Sequence, residues 1–230
     1  VKIYIGYDER EEAAAEVARK SLAHVTDDQL EPEFLCRSKL IAQGLLWRQT
    51  DERGGQDYDL ISNRFHSTRF NYSRFLTPIL SQQGYALFVD CDVVFLRDPR
   101  LMTLEVEARR AVSVVQHKEG VIGNWKMVNQ RQRPYSRKLW SSVMLFNCDH
   151  PANRRLRVRD VNERTADELH GFYWLADDEI GALGDHWNWL VDIQERPLTP
   201  GIAHMTLGGP WLDGWLGGSF DSEWKAAAAR

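Results

Sequence analysis

Two carboxylates one residue apart interrupt a long apolar stretch, Gly84-Tyr85-Ala86-Leu87-Phe88-Val89-Asp90-Cys91-Asp92-Val93-Val94-Phe95-Leu96. A run of this kind reads as a buried strand in the middle of a sheet covered on both faces. Burying a lone carboxylate costs several kcal/mol unless a cation or hydrogen-bond donors compensate. Asp90 and Asp92 are therefore candidate ligands for a hard divalent cation. Mg²⁺ and Mn²⁺ take carboxylate oxygens, often only one or two from the protein when phosphates supply the rest. The competing reading ends the strand at Val89 and leaves two solvated turn aspartates.

Other residues with chemical potential are scattered. His204 lies in Pro200-Gly201-Ile202-Ala203-His204-Met205-Thr206-Leu207-Gly208-Gly209-Pro210-Trp211. A lone histidine is more often structural than a ligand, but Gly208 and Gly209 give the backbone freedom to bring N–H groups close to an anion. Asp177-Asp178-Glu179 follows Tyr173 and Trp174 and precedes Ile180. Three adjacent acids suit a solvated helix start, and flanked by aromatics at least one could face a pocket. Arg74 sits beside the apolar stripe of residues 71–80, either in solvent or aimed at the Asp90 pair, where it would neutralise phosphate or order a carboxylate. The basic, aperiodic segment 119–138 reads as a functional loop or a solvated one.

Elements that would position these residues follow from pattern. Residues 1–8 alternate and break at Gly6, as a strand feeding a turn does. Glu9 to Val25 carries Ala13, Val17, Ala18 and Leu22 on one face behind an acidic first turn, a helix. A strand then a helix implies an α/β layer, with ligands where the strand's C-terminal end meets the turn. Gly6, Tyr7 and Asp8 stand there. Pro32 to Leu40 reads as a second strand, Asp51 to Asp57 as a polar loop, and Asn71 to Leu80 as a helix. Leu101 to Ala108 is expected as a short helix and Ala111 to Gln116 as a strand. Leu139 to Asn147 reads as another strand, and Pro151 to Leu169 as helical.

The 230 residues suffice to bury a sizeable core, and a net charge of −4 argues against a general nucleic-acid binder. Cys36, Cys91 and Cys148 are odd in number and widely spaced, which favours a reducing compartment. No apolar run approaches the roughly 18 residues of a membrane span and no signal-peptide pattern is present, so a cytoplasmic location is expected.

In order along the chain, these pieces resemble metal-dependent glycosyltransferases of the A-type (GT-A) fold, nearest to the retaining family 8 group of glycogenin and bacterial galactosyltransferases. The resemblance rests on a first strand ending at Asp8, Tyr72-x-Arg74, hydrophobic Asp90-x-Asp92, and the strand Ser141 to Asn147. The acidic Asp177-Asp178-Glu179 and the segment His204 to Trp211 complete it. It implies one GT-A, Rossmann-like domain over 1–230 with a central mixed, mostly parallel sheet flanked by helices. Residues 1–116 would form a nucleotide-binding half and 117–230 a sugar and acceptor half. It further implies transfer of a sugar from a nucleotide-diphosphate sugar, UDP by default, to a hydroxyl of a glycan or small-molecule acceptor, with retention. Asp90, Asp92 and His204 would hold Mn²⁺ or Mg²⁺ on the diphosphate. Gly6, Tyr7, Asp8, Asp90, Cys91, Gly208 and Gly209 would bind the nucleotide. Arg74, Ser141, Ser142, Asp177 and Asp178 would contact the donor sugar, with Arg74, Asp177 and Asp178 catalytic.

The chain departs from that family in three places. Gly209 stands where a lysine commonly precedes the final Pro-Trp, Asp177-Asp178 replaces Asp-Gln, and Trp140-Ser141-Ser142 replaces Asn-Ala-Gly. Either another cation, from Lys126 to Lys138, would supply the lysine's charge, or phosphate binding would be weaker. Two other classes are open: a Mg²⁺-dependent phosphohydrolase using Asp90-x-Asp92-x-Val94, and a non-catalytic sugar-nucleotide-binding protein.

Overall fold

In a computed structural model, which describes residues 1–118, 137 and 139–230 with the backbone of 125–126 and 130–131, the chain opens with β1 (Lys2–Tyr7), buried from Ile3 to Gly6. Asp8 ends it by accepting a hydrogen bond from the Arg10 backbone N–H, capping a 3₁₀ turn over Glu9–Glu11. Helix α1 (Glu12–Val25) follows and buries Ala14, Ala15, Val17, Ala18, Ser21 and Leu22, the stripe expected of a helix laid on a sheet. The second strand is shorter than its sequence suggests. β2 covers Glu33–Cys36, and α2 (Arg37–Ala42) takes over because only Leu40 beyond that point has a buried place.

The polar segment at residues 51–57 is a hairpin rather than a loop. β3 (Thr50–Arg53) pairs antiparallel with β4 (Gln56–Asp59), and β4 with β5 (Arg64–Phe65). Gly54 and Gly55 make the two-residue connection with φ of +62° and +79°, the doubly left-handed turn that glycine permits. The helix expected over 71–80 divides into a 3₁₀ turn, Ser73–Leu76, and α3 (Thr77–Ser81), because Pro78 is tolerated only in a helix's first turn.

The apolar run 84–96 is two strands, not one. β6 (Tyr85–Val89) belongs to the main sheet, and β7 (Val93–Phe95) to another. After a 3₁₀ turn and α4 (Met102–Glu105) comes β8 (Val112–Val115); β9 (Trp125–Lys126) and β10 (Gln130–Arg131) form a small antiparallel pair. The rest of the basic segment 119–138, apart from Arg137, lies outside the described residues. β11 (Val143–Asn147) starts only after a 3₁₀ turn over Trp140–Ser142. The helical stretch 151–169 resolves into a 3₁₀ turn and two short helices, α5 (Val158–Glu163) and α6 (Ala166–His170). β12 (Ile180–Leu183), β13 (Trp189–Leu190), β14 (Ile202–His204) and α7 (Asp221–Ala228) complete the chain.

The main sheet runs β12-β8-β11-β6-β1-β2. β11 is antiparallel to both neighbours and every other pairing is parallel, so the sheet is mixed and mostly parallel, flanked by helices. It draws strands from both sides of residue 116. Leu87, Phe88 and Val89 of β6 are completely buried at its centre; each such side chain contributes about 1.5–3 kcal/mol over leaving it exposed. A smaller sheet, β13-β14-β7, stands beside the carboxyl end of β6. Among the described residues, no helix is long and apolar enough to cross a membrane. All three cysteines are buried free thiols.

Candidate metal centre

Where the chain passes from one sheet to the other, it deposits both aspartates. The Asp90 N–H still bonds to the Ser142 carbonyl at 2.9 Å, extending the main sheet's pairing by one step. Two residues later the Asp92 carbonyl accepts from the Met205 N–H at 2.9 Å, and Val93 pairs with His204 in the second sheet. The register thus carries His204 to the aspartates, 112 residues on in sequence. Ligand atoms of Asp90, Asp92 and His204 all lie within 4.8 Å of one another, and all three residues are buried.

His204 is fully buried, and its Nε2, without a hydrogen-bond partner among the described residues, stands 3.2 Å from Asp92 Oδ1. An imidazole nitrogen and a carboxylate at that distance can share a cation between them. Two carboxylates and one imidazole nitrogen are an acceptable set for Mn²⁺, and the oxygens alone suit Mg²⁺. The residues present fit a divalent cation.

Arg74 is buried and turned toward this cluster: its Nη1 lies 3.0 Å from Asp90 Oδ1 and donates to the Ser141 carbonyl at 2.8 Å. Its guanidinium lies within reach of the rings of Phe70 and Phe88, 5.3 and 5.1 Å from their centroids. Ser141 Oγ in turn meets Nδ1 of the buried His170 at 2.7 Å. Ser142 and the fully buried Asn188 complete a chain that ends on His204, described below.

Other residues expected at the site have different work. Gly6 is at the right end of β1, but a Cβ there would lie 2.4 Å from the Phe70 ring, so its small size serves packing. The Tyr7 hydroxyl bonds to Glu12. Burial alone would raise the Asp8 carboxyl, but the side-chain bond from Arg10, the Arg69 N–H and the Arg10 charge hold it below the ordinary carboxylate range. It is an ionised cap rather than a free ligand. The Cys91 side chain points into the core, where burial pushes its thiol well above the ordinary value. The Gly208 N–H is spent on the Met205 carbonyl, and a Cβ on Gly209 would strike the Trp211 ring at 2.0 Å.

Asp177 and Asp178 are not brought to the cluster. The Asp178 carbonyl accepts from Arg110 and the Glu179 carbonyl from the Ala111 N–H, which puts both at the start of β8. That edge is shared with Asn147 and Tyr85, the end of the sheet opposite Asp90. The length of β6, about 13 Å at ~3.3 Å per residue, separates the two ends. The Asp177 side chain is 91% exposed and pairs with Arg137. The three acids here open a solvated turn leading straight into β12, a strand that the sequence reading did not anticipate.

The site also depends on residues that carried no sequence signal of their own. Asn188 and His170 are buried polar groups beside it. Arg48 and Asp59 form a buried ion pair (2.7 Å) whose guanidinium stacks on Tyr72 at 3.6 Å, while the Tyr72 hydroxyl donates to Asp59. Tyr72, the first residue of the Tyr-x-Arg pattern, is therefore a strut that ties the β3-β4-β5 sheet to the turn bearing Arg74.

Among known proteins, the chain is 39% identical over 229 residues to Protein CDI of Arabidopsis thaliana, a match spanning 97% of this chain and 84% of that one. The chain belongs to the CDI family. No broader family model matches the CDI-type sequence. Among solved structures, this CDI-family chain superposes on the glycosyltransferase GlyE of Streptococcus pneumoniae TIGR4 with a TM-score of 0.61 at 15% identity, over 100% of this chain and 60% of that one. The galactosyltransferase LgtC, crystallised with donor and acceptor sugar analogs, gives 0.59 at 15% identity over 100% and 95%. Mouse xyloside xylosyltransferase 1 gives 0.51 at 11% identity over 88% and 96%. At such identities the likeness establishes the fold, which is the GT-A fold; function must be argued from the site.

Proposed function

We propose that this CDI-family protein is a divalent-metal-dependent glycosyltransferase that moves a sugar from a nucleotide-diphosphate sugar to a hydroxyl acceptor, in the manner of the retaining family 8 enzymes. The observation that carries the reading is the buried Asp90–Asp92–His204 cluster at the carboxyl end of the central strand of a GT-A fold. Ligands of open α/β sheets bind at that end. Bound there, Mn²⁺ or Mg²⁺ supplies positive charge to a leaving diphosphate, the largest electrostatic demand of glycosyl transfer.

The chain's own residues prepare the position. Asp90 is held by Arg74 and by its N–H to Ser142, so it meets a ligand without reorganising. A cleft of about 330 Å³ beyond β1 and β2, lined by Glu9, Arg37, Asp57 and Arg69, offers room and donors for the nucleoside. A second cleft of about 490 Å³ beyond β12, lined by Asp185, His186, Trp189 and Gln194, offers the polar and aromatic lining that an acceptor glycan requires. UDP is the first nucleotide to try.

The test is a thermal-shift panel of nucleoside diphosphates and nucleotide sugars with and without Mn²⁺, followed by product analysis with the donor that responds. A shift for one nucleotide, present only with metal and lost in Asp92→Asn, supports the donor site. No shift for any nucleotide defeats the proposal. Phosphate release from simple monoesters would favour the phosphohydrolase, and nucleotide-sugar binding without turnover the non-catalytic relative.

A further inference from the structure

The hydrogen bonds behind His204 can be oriented by elimination. The Leu139 carbonyl can only accept, so Ser142 Oγ, 2.6 Å away, donates to it. The serine oxygen therefore accepts from its other close neighbour, Asn188, at 2.9 Å, and this requires the amide NH₂ to face Ser142. The Asn188 carbonyl oxygen must then face His204 Nδ1 at 2.8 Å, and Nδ1 must carry the proton. Nε2 is the ring nitrogen left to face Asp92, and in the neutral imidazole it carries the lone pair. Ser142, Asn188 and His204 are 2%, 1% and 0% exposed, so water does not compete for these bonds.

We propose that Ser142 and Asn188 are positioning residues that fix His204 in its Nδ1–H tautomer and so present Nε2 as a metal ligand. This rests on the metal reading of the Asp90–Asp92–His204 cluster. A ligating histidine takes its tautomer and ring orientation from the group bonded to its other nitrogen. Here that group is a neutral amide, itself locked by a serine whose hydroxyl is tied to the backbone. The role differs from lining a sugar pocket, as the sequence suggested for Ser142. It also gives the Ser141-Ser142 step two duties: the Ser141 carbonyl holds Arg74 against Asp90, and the Ser142 hydroxyl holds Asn188 against His204. Asp90 itself is tethered to the Ser142 carbonyl.

Two readouts on the full chain test this. A long-range ¹H–¹⁵N spectrum of the metal-free protein, with His204→Gln to assign the signal, is expected to show the Nδ1–H tautomer; an Nε2–H tautomer overturns the proposal. Mn²⁺ affinity, read from the electron-spin resonance of free Mn²⁺, is expected to fall about 10- to 100-fold in Asn188→Leu. Asn188→Asp, which keeps an acceptor facing Nδ1–H, should bind like the wild type. A residue with only a packing role would lower Tm and leave the affinity of the folded protein unchanged, and that result in Asn188→Leu overturns the proposal. If Asn188→Leu does not fold, Ser142→Ala decides: loss of the lock should bring in the Nε2–H signal and weaken Mn²⁺, and an unchanged spectrum and affinity overturn it. Wild-type protein that binds no Mn²⁺ removes the metal reading and this proposal together, whereas tight wild-type binding unaffected by the variants removes only the relay.

Discussion

His204 Nε2 faces Asp92 Oδ1 across 3.2 Å, while Nδ1 on the other side of the ring lies 2.8 Å from Asn188 Oδ1. With its Nδ1 proton donated to Asn188, the neutral imidazole turns its Nε2 lone pair to the carboxylate. A divalent cation between the two would be bound by both. Asp92→Asn is expected to remove the metal-dependent thermal shift while leaving a folded protein. For the wild type, a nucleotide at 100 times its Kd adds about 2.7 kcal/mol of stability. A full shift in the variant would contradict the assignment.

Asp90 should behave differently from Asp92. Its removal leaves the Arg74 guanidinium buried without its carboxylate, and breaking a buried pair in this way costs about 3–5 kcal/mol. Urea melts of Asp90→Ala should show that loss, and Asp90→Ala with Arg74→Met should recover part of it. A double variant no more stable than the single one would show that the pair is not coupled.

Gly6 separates a packing role from a binding role. Gly6→Ala drives a methyl into the Phe70 ring and should cost about 1–3 kcal/mol. Phe70→Val should relieve most of that cost in the double variant, and nucleotide affinity measured on folded protein should be unchanged throughout. Weakened nucleotide binding at full stability would instead place Gly6 against the ligand.

Buried His117 sets an acid limit. Burial lowers its pKa from 6.5 to about 4. Between those values the unfolded chain takes up a proton that the folded chain refuses, so stability falls as pH drops through that window and is level above it. The full effect is about 3 kcal/mol. Tm against pH should therefore decline less steeply from 6.5 to 4 in His117→Gln, and parallel profiles would refute this.

Asp177→Ala and Asp178→Ala are expected to leave both Tm and transfer rate near the wild type, since exposed positions away from special contacts usually change stability by less than about 0.5 kcal/mol. A large loss of turnover with KM intact would bring them back into the site.

Much of this was legible before the structure. Hydrophobic burial around Asp90 and Asp92 marked the central strand because a carboxylate there needs a reason. Arg74 stood out as a cation beside an apolar stripe. The switch of sheets at Asp90 was not legible, because an unbroken apolar run looks the same whether it stays in one sheet or crosses to another. His204 became a candidate only through family resemblance, since a single histidine carries no spacing pattern. Asn188 had no signal at all: its importance comes from two hydrogen bonds made to residues 46 and 16 positions away. The position of the acids at 177–179 was not legible for a related reason. Local sequence does not say which end of a sheet a turn occupies, and only the parallel register of β12 with β8 does.

The two sheets share a seam at residues 90–92, and the three candidate ligands lie along it. Asp90 closes the main sheet, Asp92 leads into β7, and His204 ends the strand that pairs with β7. An ion seated there would act as a rivet. Amide exchange should then slow at Val93–Phe95 and Ile202–His204 when Mn²⁺ is added, while the far edge at β2 keeps its rate, so that the protein's local rigidity reports the occupancy of its centre.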